Sequence, residues 1–182
     1  MKAAGEPGAI VVRPAGVADA EAVARVRIAS WRGAYRGIVP DAVLDGLDLA
    51  TETDRWRGRL APGSPAWTLV AVDEAPGRLS GVAGFASAGA ARGNDEAGLG
   101  EVWAISVAPH RQREGIGRVL LGTAVDRLAA LGFAELILWV FEANAGARAF
   151  YERMDWHLDG ASRPLEIGDA SPPIVRYRLR PG

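Results

Sequence analysis

AISVAPHRQREGIGRVLL, residues 104–121, is the stretch that decides how the rest of the chain is read. An apolar strand-like run ends near Val107 and is closed by Pro109. A basic, donor-rich segment follows, and two glycines, Gly115 and Gly117, open a segment of helical periodicity. Ile116, Val119, Leu120, Thr123, Ala124, Leu128 and Leu131 recur at that spacing until Gly132 ends it. Such a strand, loop and helix start turns the unpaired N–H groups of the first helical turn outward. Together with the helix dipole they form an anion site, and glycines without Cβ let a pyrophosphate reach the backbone. A P-loop is excluded because Thr123 stands where lysine is required after Gly117 and Gly122. A dinucleotide fingerprint is excluded because Leu120 occupies the third glycine. What remains is the pattern Arg/Gln-x-x-Gly-x-Gly/Ala, met by Gln112, Arg113, Glu114, Gly115, Ile116 and Gly117, with an ordinary glycine-containing turn as the alternative.

Outward from this stretch the chain alternates strands and helices. Ala9–Ala15 reads as an opening strand. Val17 to about Gly37 is helical, with Ala22, Val26 and Ala29 on one face, and a second helical region runs from Pro40 through Leu60. Trp67–Glu74 and Leu79–Ala88 are strands joined by a turn at residues 75–78, and a glycine-rich loop leads to a third strand, Glu101–Pro109. After the helix, residues 134–141 form a nearly continuous apolar strand of the kind covered on both faces. Asn144 caps a short helix, and Pro172–Arg180 closes the chain as an edge-like strand. The order β-α-α-β-β-β-α-β-α-β predicts an α/β (α+β) fold: a mixed, mostly antiparallel sheet with helices on both faces.

The whole-chain numbers set bounds. At 182 residues the prior is one domain, 1–182, with a proper core. Lys and Arg total 21 against 22 Asp and Glu, so nothing in the charge suggests a nucleic-acid partner. Cysteine is absent, which removes disulfides, a thiol nucleophile and cysteine-bound zinc; His110 and His157 are the only histidines, so no metal site is expected. The longest apolar run, LILWVF, is far too short for a bilayer, and the N-terminus has no apolar signal core, so a soluble cytoplasmic protein with no membrane partner is expected. GFASAG, residues 84–89, is one residue too long for a nucleophile elbow.

Residues 104–121 together with LWVFEANAGARAFYERMDW, residues 138–156, resemble the two signature motifs of the GNAT superfamily, the acyl-CoA-dependent N-acyltransferases. The resemblance spans Glu101 to about Gly160. It implies a splayed central strand pair with the pantetheine arm lying in the gap along Ile105, Ser106 and Val107. It puts the pyrophosphate on Gln112, Arg113, Glu114, Gly115, Ile116, Gly117 and Arg118, and the arm also against Asn144 and Ala147. The implied co-substrate is acetyl-CoA, and the implied reaction is direct transfer of an acetyl group to a primary amine in a ternary complex. Two departures stand out. Glu114 sets a carboxylate beside the pyrophosphate unless it points away, and Asp155 stands where a glycine is usual, a position a left-handed Asp tolerates.

Tyr151 falls at the family's general-acid position, and it also fits core packing on an amphipathic helix. Glu101 is a candidate to take the amine's proton through a water or to attract a cationic amine, or else is a solvated strand-end carboxylate. A backbone N–H near Ile105–Val107 is the expected oxyanion donor. Trp31 and Tyr35 are candidates for a wall of the acceptor pocket as well as for core. The acceptor, a small molecule or a peptide amine, is not named by the sequence. A non-catalytic acyl-CoA-binding module and an enzyme for longer acyl groups are the rival readings. A homodimer through the exposed final strand is one expected assembly.

Overall fold

A computed structural model describes residues 10–73, 81–93 and 96–181. Seven strands form one sheet in the order β1-β2-β3-β4-β5-β7-β6: β1 (Ile10–Pro14), β2 (Trp67–Asp73), β3 (Val82–Ala90), β4 (Gly100–Val107), β5 (Leu136–Phe141), β6 (His157–Pro164) and β7 (Pro173–Leu179). Every neighbouring pair is antiparallel except β4 with β5. Helices α1 (Ala20–Ala34), α2 (Asp41–Asp45), α3 (Leu49–Leu60), α4 (Ile116–Ala130) and α5 (Ala145–Glu152) cover both faces, as the element order predicts.

Each face has its own core. Ala20, Val23, Ala24 and Val26 of α1 and Trp56 of α3 pack on Val70, Val72 and Phe85. On the opposite face Ile116, Leu120 and Ala124 of α4 pack on Leu69, Ala71 and Ala86, which alternate with the first set, and on Ala83, which the bulge opposite Ala71 and Val72 turns to the same side. α5 joins α4 there, burying Tyr151 among Leu121, Leu128, Val140, Trp156 and Tyr177. β5 is apolar throughout because it is covered twice, Leu138 and Val140 toward α5 and Phe141 toward α2.

Several expectations are corrected. The region from Pro40 to Leu60 is two helices: the chain leaves α2 at Gly46, and Asp48 caps α3 by accepting from the Thr51 N–H at 2.8 Å. Val26 of α1 is buried as expected, but the buried stripe also runs through Val23, Ala24 and Ile28 while Ala22 is half-buried and Ala29 exposed, and on α4 Leu121 replaces Val119 in the core. The final strand is interior: β7 pairs with β5 and β6 on its two sides, so an edge contact through it has no basis, and β1 and β6 are the sheet edges. β6 itself was not expected. Its sequence, HLDGASRP, is polar on both faces, bends at Gly160 (φ +89°) and ends in proline, so it lacks the alternation that marks a half-buried strand. The opening residue Ala9 and the turn at 75–78 lie outside the described residues. Among those described, no helix is long and apolar enough to cross a membrane. Asp155 does adopt the left-handed conformation (φ +62°) that ends α5, with the Trp156 N–H bonding back to the Tyr151 carbonyl at 3.1 Å.

Two tests follow from this packing. A Cβ on Gly84 of β3 would lie 2.8 Å from the Ser106 carbonyl oxygen of β4 and 3.0 Å from Leu120 of α4, so Gly84→Ala forces backbone apart and is expected to cost about 1–3 kcal/mol in a urea melt. The second concerns the clamp between α1 and α3, where the buried Glu52 accepts from Arg27 at 2.8 Å and Arg55 at 2.6 Å. Burial pushes the Glu52 carboxyl up, but Arg27 and Arg55 outweigh it and hold it below the unfolded value of 4.5. Its stabilisation is therefore complete above that pH and lost as pH falls through the lowered folded value. Glu52→Gln should cost about 1.5–3 kcal/mol at neutral pH, and its stability gap to the parent should close in melts taken from pH 5 downward.

Candidate active site

β4 and β5 share only three residue pairs, Gly100–Leu136, Glu101–Ile137 and Val102–Leu138. The next residue, Trp103, is an extra one: Ala104 pairs with Ser87 and Val102 with Ala88, leaving Trp103 as a bulge on β4. A bulge bends its strand and raises local twist. β5 instead continues straight along β7 to Phe141. Beyond Val102 the two strands part, and residues 103–107 of β4 are only half-buried. The gap is part of a cavity of about 1520 Å³ lined from both faces of the sheet.

On the α4 side the lining includes Gln112, Arg113, Gly115, Ile116, Gly117 and Arg118. Arg113 (φ +68°) and Gly115 (φ +81°) are both left-handed, which rolls the loop over so that it enters α4 through Gly115. The first helical bond of α4 is from the Val119 N–H to the Gly115 carbonyl at 3.1 Å, so the N–H groups of Ile116, Gly117 and Arg118 precede the ladder. A Cβ on Gly117 would touch Phe150 at 3.5 Å and Val107 at 3.7 Å; glycine keeps that passage between β4 and α5 open. Glu114 does not line the cavity. It turns back to Arg111 at 2.8 Å, and Arg111 reaches Asp73 of β2 at 3.1 Å, which ties the loop to the sheet.

At the gap itself, Ile105, Ser106 and Val107 of β4 face Asn144, Ala147 and Tyr151 across the cavity. The Asn144 Oδ1 accepts from the Ala147 N–H at 3.1 Å and so caps α5. Tyr151 is 8% exposed and packs beside Phe150 and Tyr177. Its hydroxyl has no hydrogen-bond partner among the described residues, whereas the Tyr177 hydroxyl is taken by Arg148 and Glu152. Burial, with a smaller effect from Tyr35, pushes the Tyr151 phenol well above its ordinary range. It therefore stays protonated at neutral pH, as a proton donor must.

The opposite side is built by α1, α3 and the sheet. Trp31 and Tyr35 both line the cavity, packed edge to face at 5.1 Å, and Tyr35 leans on Phe141 at 5.0 Å. Glu101 is not in the lining. It is 2% exposed, and both its oxygens accept from Arg92, at 2.7 Å from the terminal nitrogen and 3.1 Å from the backbone N–H. Arg92 is the group presented to the cavity, stacked 4.7 Å over Trp103, whose Nε1–H donates to the Ala90 carbonyl. Arg27, Arg55 and Arg59 line the same side. None of these arginines, nor Trp103, was singled out from sequence. They come from four separate segments, and no spacing pattern links them.

Comparison with known proteins agrees with this geometry. The model of the acetyltransferase (GNAT) family matches residues 31–156. An uncharacterized N-acetyltransferase, YuaI, of Bacillus subtilis (strain 168) is 36% identical over 94% of this chain and 89% of its own. The PaiA N-acetyltransferase of Thermoplasma acidophilum, solved in complex with coenzyme A, superposes with a TM-score of 0.72 at 18% identity, covering 94% of this chain and 99% of the other. YncA of Salmonella typhimurium, a putative acetyltransferase solved with acetyl-CoA, gives a TM-score of 0.65 at 21% identity over 94% of each chain. The two structures share the fold, and the matched segment contains β4, its loop, α4 and α5, so the chain belongs to the GNAT family.

Proposed function

We propose that this chain is an acetyltransferase that moves the acetyl group of acetyl-CoA to an amine held on the α1/α3 side of the sheet. The observation that carries the reading is the parting of β4 from β5, which joins an anion cradle on one face to a polar chamber on the other. The YuaI relative bears an N-acetyltransferase name, and two structural neighbours were solved with coenzyme A or acetyl-CoA, which supports the same reading.

The residues present fit that co-substrate. The N–H groups of Ile116, Gly117 and Arg118, with Gln112 and the cations of Arg113 and Arg118, suit a pyrophosphate, and Glu114 is held away by Arg111. The edge of β4 beyond Val102 has no strand partner toward β5, which leaves Ile105, Ser106 and Val107 free to pair with the amides of a pantetheine arm. Asn144 and Ala147 close the other side. Acetyl-CoA supplies an acyl carbon and a thiol leaving group. An amine in the chamber attacks that carbon, the C–N bond forms as the C–S bond breaks, and the Tyr151 hydroxyl gives its proton to the departing sulfur. A backbone N–H of Ile105–Val107 stabilises the carbonyl oxygen. Glu101, with both oxygens on Arg92, orients that arginine, and the amine's proton leaves to water in the chamber.

Binding is tested by melting. At about 100 times its dissociation constant acetyl-CoA should add roughly 2.7 kcal/mol, seen as a rise in Tm, and desulfo-CoA should do nearly as well. Gly117→Glu should fold yet lose the shift, because a Cβ fits there at ordinary contact distance and the carboxylate then enters the cradle. An undiminished shift in that variant places the phosphates elsewhere.

Chemistry is tested by Tyr151→Phe, which keeps the ring and its packing. With an acceptor found by screening for CoA release, kcat should fall about 10²-fold with little change in KM for acetyl-CoA. The loss should shrink with an acyl donor whose thiol leaves more readily. A kcat within about twofold of the parent, when chemistry limits the rate, makes Tyr151 a packing residue.

A further inference from the structure

The acceptor side of the cavity is cationic without being lined by a single carboxylate among the described residues. Arg27, Arg55, Arg59 and Arg92 reach it from α1, α3 and the segment after β3. The acidic partners lie behind them: Glu52, shared by Arg27 and Arg55, and Glu101, held by Arg92, are each 2% exposed and absent from the lining. Four guanidinium groups thus meet two buried carboxylates, and the excess positive charge faces the cavity. Three of the cations are braced on aromatic faces, Arg27 at 3.9 Å over Trp31, Arg92 at 4.7 Å over Trp103 and Arg59 at 5.2 Å over Trp56.

Arg59 stands apart within the group, having no acidic partner among the described residues. It is exposed and lines the cavity. Even so, enough protein surrounds its guanidinium to push it below its ordinary value, and the charges of Arg27, Arg55 and Arg92 add to this against the pull of Glu52. Arg59 is therefore close enough to the other three cations to be repelled by them, and an anion beside it relieves that repulsion. A guanidinium fork with no partner also matches a carboxylate or phosphonate in two parallel hydrogen bonds.

Resting on the acetyltransferase reading above, we propose that the acceptor is a small amine that also carries an acid group, a carboxylate or its phosphonate counterpart, and that Arg59 is the residue that selects for it. A polyamine or an aminoglycoside would bring a second cation into this field and be repelled. The same field favours the neutral form of the incoming amine. The attacking nitrogen can then lose its proton to water without a free carboxylate base, which agrees with both Glu101 oxygens being occupied.

The test uses the full chain, saturating acetyl-CoA and CoA release as the readout. The amines are amino acids, aminophosphonates, the amides of the same amino acids, a C-terminally amidated peptide with its N-terminus free and no acidic side chain, spermidine and an aminoglycoside. An acid is expected to exceed its own amide at least tenfold in kcat/KM. Arg59→Ala should bring that ratio near one, chiefly by raising KM for the acid, and Arg59→Lys should restore part of it. The carboxylate and phosphonate arms show which acid the fork takes. As a readout free of turnover, the acid should raise Tm in the presence of desulfo-CoA for the parent and not for Arg59→Ala. Preference for spermidine, the aminoglycoside or the peptide, or an acid-to-amide ratio unchanged in Arg59→Ala, overturns the inference and leaves the acetyltransferase reading standing. Failure of every amine to release CoA overturns the acetyltransferase reading and this inference with it.

Discussion

Three residue pairs between β4 and β5 carry the function of this sheet, because of where they stop. A parallel pair that continued to Val107 would close the sheet and separate its two faces. The bulge at Trp103 turns β4 away one residue after the last pair, and the tryptophan is fixed there by its bond to the Ala90 carbonyl and by Arg92 on its face. β5 does not follow, since β7 holds it in register along its whole length, from Leu136–Leu179 to Phe141–Ile174. β4 in turn stays bonded to β3 through Val107. Each strand is thus satisfied on its outer side, which makes an open seam in the middle of a sheet affordable.

The seam divides the polar chemistry between two faces. On the α4 side the positive charge comes from a helix start, loop backbone and the Arg113 and Arg118 side chains, with the loop held in place by the chain from Asp73 through Arg111 to Glu114. On the α1/α3 side it comes from side chains alone, with the compensating carboxylates buried behind them. A buried carboxylate needs its partner, and removing either one leaves the other uncompensated. Glu52 and Glu101 therefore stabilise the fold and aim arginines into the cavity by the same contacts.

The α4 side was legible in the sequence because it is local. Val107, Pro109, Gln112, Gly115 and Gly117 fall within one short stretch, and its backbone requirements write themselves in residue type except at Arg113, whose left-handed φ no arginine announces. Asn144 and Asp155 were readable for the same reason, as a cap and a left-handed helix end. Alanine-rich α1 was read only in part, since alanine marks burial weakly: Val26 is buried as expected, but Ala24 is buried and Ala29 exposed. β6 escaped because an edge strand with no buried face has no alternation to read. The acceptor side escaped because Arg27, Glu52, Arg59 and Arg92 meet only after α1 and α3 pack on the sheet. Glu101 shows the limit most clearly: its position on β4 was read correctly, but its partner Arg92 decides which of the two faces the cavity.

Tyr151 and the arginine chamber are coupled through the direction in which protons move. In the proposed reaction the buried phenol, protonated at neutral pH, gives its proton to the departing thiol on its own side of the seam. The cationic field on the other side lowers the affinity of an incoming amine for its proton. In the proposed reaction one group serves as the acid and the other is driven toward its neutral, nucleophilic form, on either side of the strand gap. Acyl transfer from a thioester to an amine needs a neutral nucleophile and a protonated leaving group at the same time. Under the proposed reaction, separating the two environments by a single sheet meets both demands at neutral pH without a dedicated base.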